Sequence, residues 1–211
     1  MPDSGIDLTH FAATDYPPES DAPVFLMIAR LLRDKGVFEY VAASRKVKSV
    51  HPRARFQILG AVDAANRTAI DAATVKSWQE EGVIEYLGTA DDVRAHIAAA
   101  HCVVLPSYRE GAPRTLIEAA AMARPLIATD VPGCRSVVDD GVTGYLCKVR
   151  DGNDLARSIG KFLALPQAEK AQMGLAGRAK MVKNFDQAIV VEAYRNALSH
   201  DPSQIKQGVI Q

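Results

Sequence analysis

The sequence predicts an α/β fold, a doubly wound parallel sheet of about six strands with helices at its C-terminal end. Three observations predict it. From Val24 onward, short apolar runs rich in β-branched residues alternate with longer amphipathic segments. The runs are short and apolar on both faces, as strands buried under helices on either side must be. After Asp151 the alternation stops and the pattern becomes wholly helical.

Each element has a local reason. Residues 24–29 read as a first strand, followed by a loop over 30–36 and a helix to about residue 50. Residues 55–59 read as a second strand ended by Gly60, 64–81 as a helix containing the only Trp, Trp78, and 83–87 as a third strand ended by Gly88. A helix over 91–100 leads into a fourth strand at 101–105. The Ala-rich segment that follows has high helix propensity and spans 113–123, with Pro113 suited to a first helical turn because its missing N–H is one of the orphans there. Residues 125–129 form a fifth strand, 135–138 a short helix and 144–148 a sixth strand; helices over 153–164, 167–183 and 187–199 complete the chain. Residues 1–22, rich in Asp, Pro, Ser and Thr, cannot build a core and read as a linker or leading arm. One domain is therefore expected over 23–200, with a tail at 201–211. The start within such an arm suggests that a segment upstream is missing.

Composition excludes several classes. The 211 residues carry no formal net charge, so nothing global recruits nucleic acid or an anionic membrane, and any phosphate site must be local. Cys102, Cys134 and Cys147 lack metal-like or redox-like spacing and read as small buried hydrophobes. Neither a membrane-spanning run nor a cationic-then-apolar leader is seen, so a cytoplasmic protein is the expectation.

In a doubly wound sheet, ligands sit outside the carboxyl ends of the strands. The unusual residues fall there: Arg30 and Lys35 after the first strand, Gly60 after the second, Gly88 after the third, Ser107 to Glu110 after the fourth, and Asp130, Pro132 and Gly133 after the fifth. The stretch 106–118 is the richest. Gly111 lets the backbone approach a ligand closely, and the amides of Arg114, Thr115 and Leu116 open a helix beside two carboxylates, Glu110 and Glu118. A helix start takes an anion and a carboxylate takes paired hydroxyls, so the ligand suggested is part phosphate and part polyol, as a nucleotide-sugar is. From that stretch alone, Glu110 as a helix cap and Glu118 as an exposed helical charge remain equally good readings. Arg30 and Lys35 singly read as surface cations, and Arg33 is an alternative binder. Sharing one rim with the two acids, Arg30 and Lys35 read as the grip on a diphosphate.

The spacing Glu110-x7-Glu118 resembles the signature of the retaining family-4 glycosyltransferases of GT-B fold. Ala29-Arg30-Leu31 with Lys35-Gly36, Gly5-Ile6-Asp7, and the run from Arg124 to Gly133 with Asp140-Gly141 and Gly144 are similar to that family in the same order along the chain, over about residues 5 to 199. The resemblance implies the C-terminal, donor-binding half of such an enzyme, of the kind that builds bacterial surface polysaccharides or lipid-linked oligosaccharides. Arg30, Lys35 and Glu110 would then be catalytic, the cations holding the leaving diphosphate and Glu110 facing the donor sugar. Glu118 would take the ribose, the amides of Thr115 and Leu116 the phosphates, and the backbone around Ile84 and Tyr86 the base edge, with Gly60 leaving room. The donor nucleotide would be UDP, the commonest in the family, with no metal and no further cofactor.

The partners implied are the donor and a missing N-terminal GT-B domain, through which the whole enzyme would touch a membrane peripherally. This fragment alone would bind donor without transferring it. Two departures stand out: Ser136 replaces a frequent Glu, and Ala29 a frequent Gly before Arg30. A GT-B fold nucleotide-sugar epimerase and a non-catalytic nucleotide-binding module are the competing functions.

Overall fold

The computed structural model describes residues 5–62 and 66–188. Six parallel strands, β1 (Val24–Ile28), β2 (Arg55–Leu59), β3 (Glu85–Tyr86), β4 (Cys102–Leu105), β5 (Leu126–Thr129) and β6 (Gly144–Cys147), form one sheet in the order β3-β2-β1-β4-β5-β6. The order reverses between β1 and β4, so the crevice of a doubly wound fold opens outside their carboxyl ends.

Among the described residues, seven helices cover the two faces: α1 (Val37–Lys48), α2 (Ala72–Glu80), α3 (Arg94–Ala99), α4 (Arg114–Ala121), α5 (Pro132–Val137), α6 (Gly152–Ala164) and α7 (Gln167–Asn184). Successive strand residues point to opposite faces. Phe25, Met27, Phe56 and Ile58 therefore pack with α1, α2 and α6, while Leu26, Leu59, Val103 and Leu126 pack with α3, α4, α5 and the Met181 end of α7. Every residue of β4 and β5 is buried, which accounts for their uninterrupted apolar sequence.

The departures from the sequence reading have local causes. The helix expected over 64–81 begins only at Ala72, because Asp71 is extended and caps it, accepting from the Thr74 amide at 2.8 Å. The residues before it are drawn off to the loop after β1: the Arg33 amide donates to Thr68 O and the Ile70 amide to Leu31 O, each at 2.9 Å. Within that loop Arg33–Lys35 form a 3-10 turn. The helix expected at 135–138 starts at Pro132, a first-turn proline that needs no acceptor for its nitrogen. Pro113, by contrast, is the residue before α4 and lies outside its first turn.

The arm is docked on the domain. Ile6 and Phe11 are buried in the second core, and Ile6 exchanges backbone hydrogen bonds with Phe185 and Gln187 at 2.7 and 3.1 Å. Arg124, fully buried, donates to Thr14 and Asp15 in the arm as well as to the carbonyls of Ile97 and Ala98 at the end of α3. The three cysteines are buried and free. The final helix over 187–199, beyond residue 188, and the tail over 201–211 lie outside the described residues. Among the described residues, no helix is long and apolar enough to cross a membrane.

Candidate functional site

The site begins where β1 ends. The Ala29 amide donates to Leu59 O and the Leu31 amide to Ala61 O, which holds the start of the next loop against β2, while Leu31 and Leu32 are buried. Arg30 stays exposed between them at the strand exit. Gly36 closes the loop with φ 76°, and a Cβ there would lie 2.0 Å from Pro106 O, so only glycine lets this loop meet the one after β4. Across that contact Lys35 Nζ lies 2.7 Å from Glu110 Oε1. The first-strand cation and the fourth-strand acid, both expected on the rim, are paired.

The helix start beside them is tied down from the other side. Thr115 Oγ donates to Ile28 O at 3.2 Å, bringing the first turn of α4 to the end of β1. Ala29, Lys35, Glu110, Pro113 and Thr115 line a cleft of about 250 Å³ between these elements. Among the described residues the amides of Arg114 and Thr115 have no acceptor, so they remain available to an anion. The Leu116 amide does not: it donates to Pro113 O at 2.9 Å, and the Leu116 side chain is fully buried. A tight first turn satisfies the third donor internally. Gly111 faces open space, as a residue fronting a ligand can.

Glu118 opens a second cleft. It is only 9% exposed, its Oε1 accepts from Arg114 Nε at 2.8 Å, and with His10, Arg94 and Arg114 it lines a space of about 390 Å³. Arg114 lines both clefts, so Glu110 and Glu118 serve adjoining compartments on either side of one guanidinium. His10, peripheral by sequence position, reaches the second one because the arm is docked.

Three residues expected near the base have structural partners of their own. Ile84 is buried in the core, and the pairing of Glu85 with Gln57 sets it level with the early part of β2. The Tyr86 hydroxyl donates to Gly60 O at 2.9 Å, so it supports the neighbouring turn. At Gly60 a Cβ would lie 1.9 Å from Ala29 O, and its amide donates to Gly88 O. Its smallness seats the Arg30 loop against β2.

Sequence reasoning put Gly133 and Tyr108 on the rim without giving either a contact. Gly133 packs under the acid: a Cβ would come within 2.2 Å of Glu110 O. Its position after the fifth strand was the signal. Tyr108, two residues before Glu110, bonds Glu39 Oε1 at 2.8 Å, and nothing in the sequence marks that partnership. Ser136 donates to Gly133 O at 2.7 Å and so braces α5 instead of capping its start. Burial, then the nearby Glu110 carboxylate, pushes the Cys134 thiol up to about 12, which leaves it protonated beside the site.

With this geometry in view, residues 12–180 match the family model described as glycosyl transferases group 1. The chain is similar to the N,N'-diacetylbacillosaminyl-diphospho-undecaprenol alpha-1,3-N-acetylgalactosaminyltransferase of Campylobacter jejuni, 30% identical over 173 residues, which is 82% of this chain and 43% of that protein. It is also similar to the putative colanic acid biosynthesis glycosyltransferase WcaL of Escherichia coli, 27% identical over 194 residues, 88% of this chain and 47% of that one. The chain thus spans about half the length of the curated relatives it matches. Among solved structures, sucrose-phosphate synthase from Thermosynechococcus elongatus superposes with a TM-score of 0.78 at 25% identity over 94% of this chain and 52% of that one. The Anabaena protein Alr3699/HepE, solved with UDP, superposes with a TM-score of 0.78 at 20% identity over 92% and 56%.

Proposed function

From the premise that this chain belongs to the group 1 glycosyltransferase family, we propose that it is the C-terminal, donor-binding half of a retaining GT-B enzyme that uses a UDP-sugar, in the synthesis of a bacterial polysaccharide or lipid-linked oligosaccharide. The Lys35–Glu110 pair carries the reading. It joins a cation for the diphosphate to an acid for sugar hydroxyls within one cleft, and that cleft adjoins a second with its own carboxylate, Glu118. A nucleotide-sugar has the matching order of parts. The sugar would lie at Glu110, the diphosphate between Lys35, Arg30 and the open amides of Arg114 and Thr115, and the ribose at Glu118.

The chemistry these residues supply is electrostatic. When the bond between the anomeric carbon and the diphosphate oxygen breaks, negative charge grows on the leaving oxygen, and fixed cations and amides stabilise it without reorganising. Glu110 holds the sugar in register while the acceptor oxygen bonds to the anomeric carbon from the face the diphosphate leaves, its hydroxyl proton passing to the departing diphosphate oxygen. The acceptor and its site belong to a second domain. The UDP of the Anabaena structure and the putative colanic acid role of WcaL support the donor and the pathway class.

Calorimetric titration with UDP, GDP and ADP tests the reading. UDP should bind, and UDP-glucose with it, without sugar transfer by the isolated chain. If none of the three diphosphates binds, the donor role is wrong; if GDP or ADP binds in place of UDP, the base assignment is.

A further inference from the structure

We propose that Tyr108 is a positioning residue for the donor cleft, one side chain that locks the loop carrying Lys35 to the loop carrying Glu110. The inference rests on the reading of that pair as diphosphate and sugar contacts.

Tyr108 stands two residues before Glu110 and is tied to the opposite loop twice. Its amide donates to Asp34 O at 2.8 Å, the residue before Lys35, and its hydroxyl donates to Glu39 Oε1 at 2.8 Å in the first turn of α1. A third loop closes over it: the Arg150 guanidinium, beyond the end of β6, lies 4.6 Å from the ring centroid. Arg150 has φ 58°, a left-handed conformation that a non-glycine residue holds only where its surroundings impose it. One ring therefore joins the exits of β1, β4 and β6.

The Lys35–Glu110 contact cannot do this itself. A partly exposed ion pair between flexible side chains is weakly held and follows its loops rather than fixing them. Gly36 brings the loops close but supplies no directional bond. The Tyr108 side chain supplies one hydrogen bond and a stacked face, and its backbone amide supplies the other bond. The partnership with Glu39 is also one-sided. The second carboxylate oxygen of Glu39 is buried without a partner among the described residues, so the tyrosine hydroxyl on Oε1 is the hydrogen bond this acid would lose outright. Burial and the Glu39 acceptor push the hydroxyl up to about 12, so it remains a donor at ordinary pH.

The test uses the full chain with Tyr108→Phe, which keeps the ring and removes the hydroxyl, and Tyr108→Ala, which removes both. Calorimetry compares UDP-glucose, which spans both clefts, with UMP, which lacks the second phosphate and the sugar. Tyr108→Phe should weaken UDP-glucose by about 3- to 10-fold, the scale of one hydrogen bond, and leave UMP within about twofold. Equal affinities in wild type and variant, or equal losses for both ligands, would overturn the positioning role. If wild type binds neither ligand, the donor reading fails and the brace is judged separately by lysine-ammonium NMR. There the Lys35 signal, identified by its loss in Lys35→Ala, should move to exposed-lysine exchange in Tyr108→Ala, or shift in Tyr108→Phe should the alanine variant not fold. An unmoved Lys35 signal refutes the brace whatever the chain binds.

Discussion

Lys35 and Glu110 stand 75 positions apart in the chain and 2.7 Å apart in space, Nζ to Oε1. The pair holds a place for a ligand that brings both charges something better: a diphosphate for the ammonium and hydroxyls for the carboxylate. Lys35→Ala should weaken UDP by about 1.5–3 kcal/mol, roughly 10- to 150-fold in Kd, since a charge-assisted hydrogen bond to phosphate is lost. Folding stability should change by about 1 kcal/mol or less, because the pair is partly exposed. Titration calorimetry and urea unfolding on the same preparation separate the two effects.

Glu118→Ala addresses the second compartment. Its carboxylate is nearly buried, and its neighbour Arg114 is largely exposed, so removing the acid should weaken UDP by about 1–3 kcal/mol with little penalty from the stranded guanidinium. Arg114→Ala is the control: losing an i,i+4 pair whose arginine is exposed and whose carboxylate is nearly buried should lower stability by about 1 kcal/mol or less. An unchanged UDP affinity in Glu118→Ala would remove the ribose role.

How far the sequence reaches is visible residue by residue. The strands were legible because burial on both faces leaves uninterrupted apolar runs, as in Cys102–Leu105. The meeting of Lys35 with Glu110 was legible because parallel strands put every β-to-α loop on one edge, and β1 neighbours β4. The capture of residues 68–70 by the loop after β1 was not, since it rests on backbone bonds between segments far apart in sequence. Ile84 shows the limit at a strand: its apolar neighbours announce β3, but only the register with β2 reveals that it lies level with the early part of that strand. Tyr108 and Arg124 have partners that no periodicity encodes.

Arg124 makes the docking of the arm testable. All of its donors go to side-chain or backbone oxygens of the arm, α3 and Ala123, and burial pulls its pKa below the usual arginine range. Arg124→Met would leave the carbonyls of Thr14, Asp15, Ile97 and Ala98 without this donor. A loss of about 3–5 kcal/mol is expected, since several buried acceptors lose their partner together. Limited proteolysis should then cut within residues 12–22 before the domain unfolds. A variant as stable and as resistant as wild type would mean that the arm is held by its other contacts, among them Ile6, Phe11, Tyr16, Gln167 and Arg178.

His101 gives the fold a pH dependence whose sign follows from its two partners. The Val24 amide donates to Nδ1 at 3.1 Å, and Nε2 faces Pro18 O at 3.3 Å, so the neutral ring with its proton on Nε2 is the form that fits. Burial, reinforced by Lys170 and Arg124, lowers its pKa below 6.5 even though the Pro18 carbonyl favours the proton. Above the unfolded-state value of about 6.5 both states are neutral, and the contribution of this site is complete. As pH falls below 6.5 the unfolded chain takes up the proton first, so stability declines until the lowered folded value is passed. His101→Asn keeps an acceptor for the Val24 amide but cannot titrate. Urea midpoints at pH 7.5 and 5.5 should therefore fall less in the variant than in wild type; equal declines would assign the acid sensitivity to other groups.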